Sequence, residues 1–443
     1  MSAITQVFKD ADLRKKILVT IALVIVYRIG AQIPSPGVDY ASIHERLKGI
    51  GQSGDNVFTL INLFSGGALL QLSIFAIGIM PYITASIIVQ LLTVVIPKFE
   101  ELKKEGQSGE AKMTQYTRYL ALALALLQSS GIVALADREQ LLGQGVPVLV
   151  EDRNVWTLIM IVVTMTTGAM LIMWLGEIIT EKGVGNGMSL LIFAGIASRL
   201  PAEGANVYKQ SGPLVFAIVM VAVFVLVIGV VFMEQGQRRI PVQYAKRMVG
   251  RRQYGGSSTY LPLKVNQAGV VPVIFASSLL YVPVLITQIV YSATPDGAHD
   301  NWWQKHVMNW LQQPSSWQYI LLYFLLIIFF AYFYVSVQYD PLEQADNMKK
   351  YGGFIPGIRP GRPTAEYLQF VMNRLLFVGA LYLGVIAVLP NLALDAGVGN
   401  AGGGKLSSFG GTAILILVSV ALTTVKQIES QLLQSNYEGL LKK

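Results

Sequence analysis

Ionisable side chains that could carry out chemistry are few in this sequence, and they avoid its apolar segments. Glu177 and Glu181 stand at the end of one apolar segment, and Arg28 is the one clear charge inside another. The histidines lie in the loops: His44, His299 and His306. The 443 residues contain no cysteine, so disulfides, thiolate metal sites, iron–sulfur clusters and a cysteine nucleophile are excluded.

Several classes of membrane protein need ionisable groups that these segments lack. A proton- or sodium-coupled transporter places carboxylates or histidines on its pathway. An intramembrane protease needs paired carboxylates, a serine dyad or a zinc site. None of these sets occurs in the sequence, and neither does a Walker A or Rossmann glycine motif. The sequence therefore predicts no enzyme, no metal and no cofactor, and it favours a channel or scaffold that acts through shape and apolar surface.

The composition predicts a polytopic all-α membrane protein. Hydrophobic residues make up 53% of the chain and charged residues only 14%, whereas a soluble domain carries about 25% charged residues. Apolar blocks long enough to cross a bilayer recur along the whole length. Ten spans are predicted, at residues 17–35, 74–95, 116–136, 155–178, 186–200, 213–233, 266–290, 317–338, 370–390 and 410–427.

The distribution of basic residues predicts the orientation. Most of the 34 Lys and Arg residues fall in the N-terminal tail, the C-terminal tail and the loops that follow spans 2, 4, 6 and 8. The positive-inside rule places these segments, and therefore both termini, in the cytoplasm. The net charge of +8 is then largely a topological signal.

Internal symmetry divides the spans into five plus five. Glycine clusters open span 5 ("GVGNGMSLLIF") and span 10 ("FGGTAILILV"), which enter the membrane from opposite sides in this topology. Such a correspondence is typical of an inverted repeat. The predicted halves are residues 1–205 and 206–443. The alternative is that glycine is simply frequent here, with 42 in the chain.

One uncharged run is too long for a single span. Between Asp55 and Lys98 lie 42 uncharged residues, whereas about 20 helical residues cross a bilayer. Residues 57–71 begin and end on the same side of the membrane in the predicted topology. Backbone that enters a membrane without crossing it must be surrounded by protein or line a cavity. This segment is therefore predicted to be re-entrant, with a sharp turn at Gly66 and Gly67.

Two loops on the predicted cytoplasmic face have built-in structure. In residues 235–264, alternating apolar residues on either side of Gly255-Gly256 predict a β-hairpin, with Arg251 and Arg252 near its tip. Residues 339–369 are rich in Gly and Pro and carry Arg359. Rigid basic protrusions favour docking of a large, negatively charged partner. The alternative is that both loops only follow the positive-inside rule.

Long motifs resemble the SecY family, the pore subunits of bacterial protein-conducting channels. They include "LINLFSGGAL", "GIMPYITASIIVQLLTVV", "QRRIPVQYAKRMVGRR", "LPLKVNQAGVVPVIFASS" and "GGFIPGIRPGRPTAEYL". The resemblance covers nearly the whole chain in order, and the detailed sequence is similar to that of actinobacterial members. It implies ten transmembrane helices in two inverted five-helix halves, which form a clamshell around a central pore with a re-entrant plug helix.

The resemblance also implies a function and partners. The protein would be a passive conduit in the plasma membrane for secretion of unfolded preproteins and for lateral insertion of membrane proteins. The implied partners are SecE, SecG, the motor ATPase SecA, the ribosome, SecDF, signal sequences and membrane lipids.

Residues that have a role in the family are matched to this sequence one position at a time. The implied pore ring consists of Ile79, Ile83, Met188, Ile192, Ile274 and Ile416. Met188 departs from the usual isoleucine but is also apolar. The implied plug residues are Asn62, Phe64, Ser65, Gly66 and Gly67. The implied lateral gate contains Gln90, Gln128 and Asn266, and the implied ribosome and motor contacts are Arg251, Arg252 and Arg359.

Two rival functions remain open from the residues alone. One is an inverted-repeat secondary transporter of a small solute, and the other is a lipid- or insertase-type scaffold. Ordinary core packing is the alternative role for each isoleucine of the predicted ring.

Overall fold

The computed structural model describes most of the chain. Described are residues 11–39, 65–69, 71–137, 154–244, 247–249, 252–254, 258–292, 316–393 and 411–441, with single positions or short pieces at 43, 149, 307, 309–311 and 313. The predicted plug residues Asn62 and Phe64 and the predicted docking residue Arg251 lie outside the described residues.

Helices make up nearly all of the described secondary structure. Their bounds in chain order are α1 Ala11–Gly30, α2 Met80–Val95, α3 Pro97–Lys104, α4 Gln107–Asp137, α5 Val155–Lys182, α6 Gly187–Gln235, α7 Val271–Ser292, α8 Asn309–Leu311, α9 Trp317–Gln338, α10 Pro341–Lys350, α11 Arg362–Ala393 and α12 Gly411–Leu441.

The strands lie between α6 and α7 and between α10 and α11. They are β1 Gln237–Tyr244, β2 Arg247–Val249, β3 Arg252–Tyr254, β4 Ser258–Lys264 and β5 Gly353–Phe354.

Local sequence signals explain several helix starts. Asn186 caps α6, since its side-chain oxygen accepts hydrogen bonds from the backbone N–H groups of Met188 and Ser189. Asp340 caps α10 in the same way through the N–H of Leu342. Proline occupies the first turn of α2, α3 and α10, where its missing N–H removes no helical hydrogen bond.

The second span differs from its predicted bounds. Helix α2 begins at Met80, whereas the sequence predicts residue 74. Residues 74–79 form turns instead, and Gly78 adopts φ +64°. Ser73 forms a short antiparallel bridge with Pro34. The apolar run therefore continues into a turn region that hydropathy alone cannot separate from the helix.

A sharp bend follows α2. Ile96 is extended, with φ −106° and ψ 115°, because Pro97 disfavours the helical region for the residue before it. Helix α3 leaves at 100° to α2. The bend turns the chain from an apolar helix into the charged segment "PKFEELKK".

The fifth and sixth predicted spans belong to a single interrupted helix. Helix α6 continues through Pro201, where the sequence predicts its fifth span to end, and the non-helical backbone lies at Gly212 (φ 79°, ψ 172°). Glycine tolerates this conformation, and Pro213 follows at the start of the second arm. The first arm is therefore longer than predicted, and the predicted division between residues 205 and 206 falls within it.

The hairpin predicted between spans 6 and 7 is present and carries a third strand. Strands β1 and β4 pair antiparallel, from Gln237 opposite Lys264 to Gln243 opposite Ser258. Strand β5, from the loop after α10, adds to the other edge of β1. One buried apolar cluster stabilises this unit: Ile240, Leu263, Ile355, Leu368 and Val371. The two predicted basic protrusions thus form one structural unit, the hairpin unit.

The helices before the break at Gly212 form one group and the helices after it form the other. The two groups meet along two seams. Helix α7 packs against α2 and α4 on one side, and α12 packs against α6 and α1 on the other. Within the second group, α9 packs against both α7 and α11. The largest hydrophobic cluster contains residues of both groups, so the core lies between them.

Long apolar helices account for seven predicted spans. Six described helices are long and apolar enough to cross a membrane, and the bent pair α2–α3 makes a seventh. The ninth and tenth spans extend beyond their predicted limits, whereas α9 has the predicted bounds of the eighth span. The other three predicted spans correspond to α1, the first arm of α6, and α7.

Candidate functional site

Five isoleucines predicted for the pore ring belong to one buried cluster. Ile79 caps α2 and Ile83 lies one turn later, with the Ile83 N–H donating to the Ile79 carbonyl over 3.2 Å. Helices α6, α7 and α12 contribute Ile192, Ile274 and Ile416, respectively. The cluster therefore receives these residues from both groups of helices. Because it contains many other apolar residues, their arrangement as a ring stays a prediction.

Met188 has a second set of neighbours. It is partly buried, and its sulfur packs over Gly176 of α5, where there is no room for a side chain. It also packs against the small cluster of Ala85, Ala121 and Met173. Close approach of α5 and α6 depends on glycine here, since Gly187 likewise faces the backbone carbonyl of Gly176.

The end of the predicted plug is held by the intramembrane arginine. An Arg28 guanidinium N–H donates to the Gly66 carbonyl over 3.2 Å, and the Tyr27 hydroxyl lies 3.5 Å from the Ser65 carbonyl. Ser65 is fully buried, and its hydroxyl accepts from the Leu69 N–H. These polar contacts anchor the end of the predicted plug to α1.

The backbone conformation favours glycine at both glycines of the predicted plug. Gly66 and Gly67 adopt φ +67° and +94°, a region that side-chain-bearing residues rarely enter. A Cβ at Gly66 would stand 2.9 Å from the Gly195 Cα, so this turn packs directly against α6. The predicted sharp turn is thus present at Gly66 and Gly67.

The three predicted gate residues have separate surroundings. Gln90 donates to the Ser86 hydroxyl within its own helix over 3.3 Å. Gln128 is buried in α4, which packs against α7. Asn266 precedes α7, and its amide N–H groups point to Glu234 and to the Gly269 carbonyl, at 2.6 and 3.2 Å. The described hydrogen bonds of Gln90 and Asn266 therefore do not join them across the seam.

Sequence reasoning missed the carboxylate that binds Asn266. Glu234 is only 9% exposed and lies at the end of α6. In the sequence it terminates a long apolar run just before the basic loop, so it passes for a membrane-surface residue. The signal that could have found it is its position, three residues before the hairpin begins at Gln237 and opposite an asparagine just after the hairpin ends.

A bidentate ion pair links α4 and α5. The Arg118 guanidinium donates to both carboxylate oxygens of Glu177, over 2.8 and 2.9 Å. The two side chains are 41% and 22% exposed. Glu177, which the sequence places at the edge of span 4, therefore ties this span to span 3.

The predicted docking residues Arg252 and Arg359 both belong to the hairpin unit. Arg252 lies in β3, with Val249 as its partner across the β2–β3 pair. Arg359 is exposed, and its carbonyl accepts from the Thr364 hydroxyl over 2.9 Å. This bond fixes the backbone at the start of α11. The arginine side chain is thus presented from a structured loop.

A family comparison identifies the chain's relatives. The model of the SecY family matches residues 73–425. The chain belongs to the SecY family. It is 78% identical over 442 residues to the protein translocase subunit SecY of Corynebacterium glutamicum, with all of both chains covered. It is 61% identical over 445 residues to the SecY of Mycobacterium tuberculosis H37Rv, again with full coverage of both. The predicted similarity to actinobacterial members is confirmed.

A solved structure shares the fold. It is a SecY channel in which the plug domain is described as stabilising the closed state of the translocation channel and maintaining a membrane seal. The alignment covers 94% of this chain and 92% of that one, with a TM-score of 0.62 and 18% sequence identity. The predicted fold class is confirmed: this is a multi-pass membrane protein with the ten-helix clamshell fold of these channels.

Proposed function

We propose that this chain is the channel-forming subunit of the Sec preprotein translocase in the plasma membrane, with both termini in the cytoplasm. Its full-length relationship to translocase subunits carries this proposal. The relationship gives no support to a small-solute transporter. The role is non-enzymatic, since a channel lowers a barrier to transport and its partners supply the energy.

The apolar cluster between the two groups of helices supports a gated pore. Residues from α2, α6, α7 and α12 meet there. A narrow apolar ring disfavours water and ions. Branched aliphatic side chains also offer no hydrogen bonds that would hold a passing chain. Ile79, Ile83, Ile192, Ile274 and Ile416 would form most of this ring, and Met188 would lie at its edge next to α5.

The contact of α7 with α2 and α4 supports a lateral gate. These helices come from different halves, so their separation would open the pore to lipid without breaking either half. Gln90, Gln128 and Asn266 would make the seam partly polar. A hydrogen bond between neutral amides that formed across the seam would contribute only about 1 kcal/mol. An apolar signal sequence could therefore displace it.

The segment ending at Gly66 and Gly67 would be the plug. Its described end packs against α1 and α6, close to the apolar cluster. Backbone of this kind is compatible with membrane depth only when protein surrounds it. The plug would cover the pore at rest and move aside for a chain.

The hairpin unit would dock the cytoplasmic partners. Its exposed residues Arg238 and Arg359, together with the arginines that the sequence places at residues 247–252, would give it a basic surface, which would suit ribosomal RNA or an acidic face of SecA. SecE and SecG would be the partner subunits, with SecDF as an accessory. Signal sequences, unfolded preproteins and membrane lipids would contact the pore and the seam.

Reconstitution tests the proposal. The chain is placed in lipid vesicles with SecE and SecG, and a secretory preprotein, SecA and ATP are added outside. We expect the preprotein to become protected from external protease, only with ATP and only with an intact signal sequence. Protection that is independent of the channel would contradict the proposal, and uptake of small solutes without preprotein transport would favour the transporter.

A further inference from the structure

The base of the hairpin is closed by side chains as well as by backbone. The Val265 N–H donates to the Gly236 carbonyl over 3.0 Å, next to the first strand pair, Gln237 with Lys264. One step further into the protein, Asn266 donates to Glu234 over 2.6 Å. Glu234 is the end of α6, and Asn266 leads into α7. The bond therefore joins the end of α6 to the segment before α7, at the point where the chain enters and leaves the hairpin.

The segment that carries Asn266 is firmly packed. Ala268 belongs to a buried cluster with residues of α9 and α11. Gly379 of α11 has no room for a Cβ, because the Val265 carbonyl would be 2.5 Å from it. Asn266 itself is 3% exposed. A displacement of the hairpin base is thus passed to the start of α7 and is not absorbed by a loose linker.

A polar cavity surrounds the bond. Its volume is about 290 Å³, and Glu234 and Asn266 line it together with Lys264 and Ser419. Further hydroxyl and amide groups come from the start of α6 and the middle of α12, including Ser189 and Thr423. The cavity gives the bond space to rearrange when its neighbours move, which a fully packed apolar contact would not allow.

We propose that Glu234 is a positioning residue through which a partner docked on the hairpin unit acts on α7, the helix at the seam. The Glu234–Asn266 bond is the link. Pushing or turning the hairpin moves Asn266 relative to Glu234, and the packed segment carries that movement to the first turn of α7. This inference rests on the proposed function, in which α7 belongs to the lateral gate.

The test measures two quantities separately: the binding of SecA, and coupling, which is the amount of preprotein transported per ATP hydrolysed. Vesicles are prepared with the wild type, Glu234→Ala and Glu234→Gln, at equal amounts of channel that elutes as a single species. SecA affinity and the amount of preprotein transported per ATP hydrolysed are measured for each. In Glu234→Ala we expect unchanged affinity but roughly tenfold less transport per ATP, which corresponds to the loss of one hydrogen bond. Glu234→Gln should stay near the wild type, because its amide oxygen still accepts from Asn266.

Two further variants exclude a general structural effect. Thr424→Val changes the same cavity without touching the bond, because the Thr424 hydroxyl donates to the Val420 carbonyl within α12, and this variant should couple normally. Asn266→Ala removes the donor, and the double variant with Glu234→Ala should be no worse than either single variant. If Glu234→Ala cannot be purified, Asn266→Ala provides the same test from the other side of the bond.

The outcomes separate the inference from the proposed function. Wild-type coupling in Glu234→Ala, a parallel loss of SecA binding, or additive effects in the double variant would overturn the inference. A wild type that transports no preprotein at all would instead count against the proposed function.

Discussion

Individual polar residues have different roles in this protein, and their partners distinguish these roles. Arg118 and Glu177 tie two helices of one half, and Glu234 and Asn266 tie the ends of the hairpin. Gln90 bonds only within its helix among the described contacts, to Ser86. An amide at the seam with a local partner remains available to a neighbour across the seam, which is what a weak gate requires.

A leucine in place of Gln90 tests the gate at residue scale. We expect Gln90→Leu to change the balance between closed and open seam by roughly 0.5–2 kcal/mol. Export of preproteins with weak signal sequences should then change more than export of those with strong ones, as measured in the reconstituted vesicles. Ser86→Ala is the control, because it removes the local bond alone. Equal effects on both kinds of preprotein would argue against a gate residue.

The Arg118–Glu177 pair is expected to stabilise the first half. Glu177→Gln weakens a bidentate, partly buried ion pair, so we expect a loss of about 1–2 kcal/mol after allowance for solvent screening. Thermal unfolding in detergent measures it. Glu100→Gln is the matched control: it breaks the pair with Lys104, whose side chains are 57% and 73% exposed, and it should change little. Identical melting of both variants would show that Arg118–Glu177 contributes nothing special.

At the scale of elements, the hairpin unit joins two loops that are distant in sequence into one structure, on which we propose a single docking surface. Strand β5 pairs with β1, and the shared cluster around Ile240 and Ile355 holds the loops together. Arg359 and the arginines of the hairpin are therefore expected to face the same partners.

Charge reversal tests this shared surface. Arg251→Glu with Arg252→Glu should weaken ribosome binding and make it less dependent on salt, since fewer phosphate contacts release fewer ions. Arg359→Glu should slow SecA-driven transport. Sedimentation with ribosomes at several salt concentrations and the vesicle assay measure these effects. Lys112→Glu is the control, because it reverses an exposed charge outside the hairpin unit. An equally large effect of this variant would mean that the net charge of the protein, and not the position of the arginines, explains the result.

Elements with strong periodicity could be predicted from sequence, and their interruptions could not. The bounds of α9 and the β1–β4 hairpin follow from a long apolar run and from strand alternation, both local signals. The start of α2 and the continuation of α6 to Gly212 depend on backbone geometry within apolar sequence, where hydropathy does not change. The pairing of β5 with β1 is a contact between distant segments, which no local pattern contains.

The same distinction applies to the candidate site. Family motifs led to the isoleucines and to the turn at Gly66 and Gly67, because these residues lie in long, specific stretches. Glu234 could not be predicted from the sequence, because its role depends on its burial and on a hydrogen-bond partner on the other side of the hairpin. The anchoring of Gly66 by Arg28 escaped for a similar reason, since α1 and the plug end meet only in the folded chain.

At the scale of the whole molecule, the clamshell has two different seams. One joins α7 to α2 and α4, and the other joins α12 to α6 and α1. The interrupted helix α6 connects the halves next to the second seam, so opening is expected at the first. The described end of the predicted plug lies against α1 and α6, on the side that we expect to stay closed.

The plug can therefore be removed without removing a connection between the halves. We expect deletion of residues 60–67 to leave a folded, export-competent channel that conducts ions when idle and tolerates defective signal sequences. The physical reason is that the seams are formed by contacts of α7 with α2 and α4 and of α12 with α6 and α1, and all of these helices lie outside the deleted residues. Single-channel recordings in planar bilayers measure the idle conductance.

A milder variant separates a movable plug from a permanently packed one. Arg28→Met removes the hydrogen bond to Gly66 but keeps an unbranched side chain of similar length, so the plug should leave its position more often while the fold is retained. We expect brief idle openings in Arg28→Met and sustained conductance in the deletion. If the segment is instead a structural element, the deletion should lower expression and assembly, and Arg28→Met should lower the melting temperature without opening the channel. An idle deletion variant as tight as the wild type would rule out the plug, because the seal would then belong to the isoleucine cluster alone.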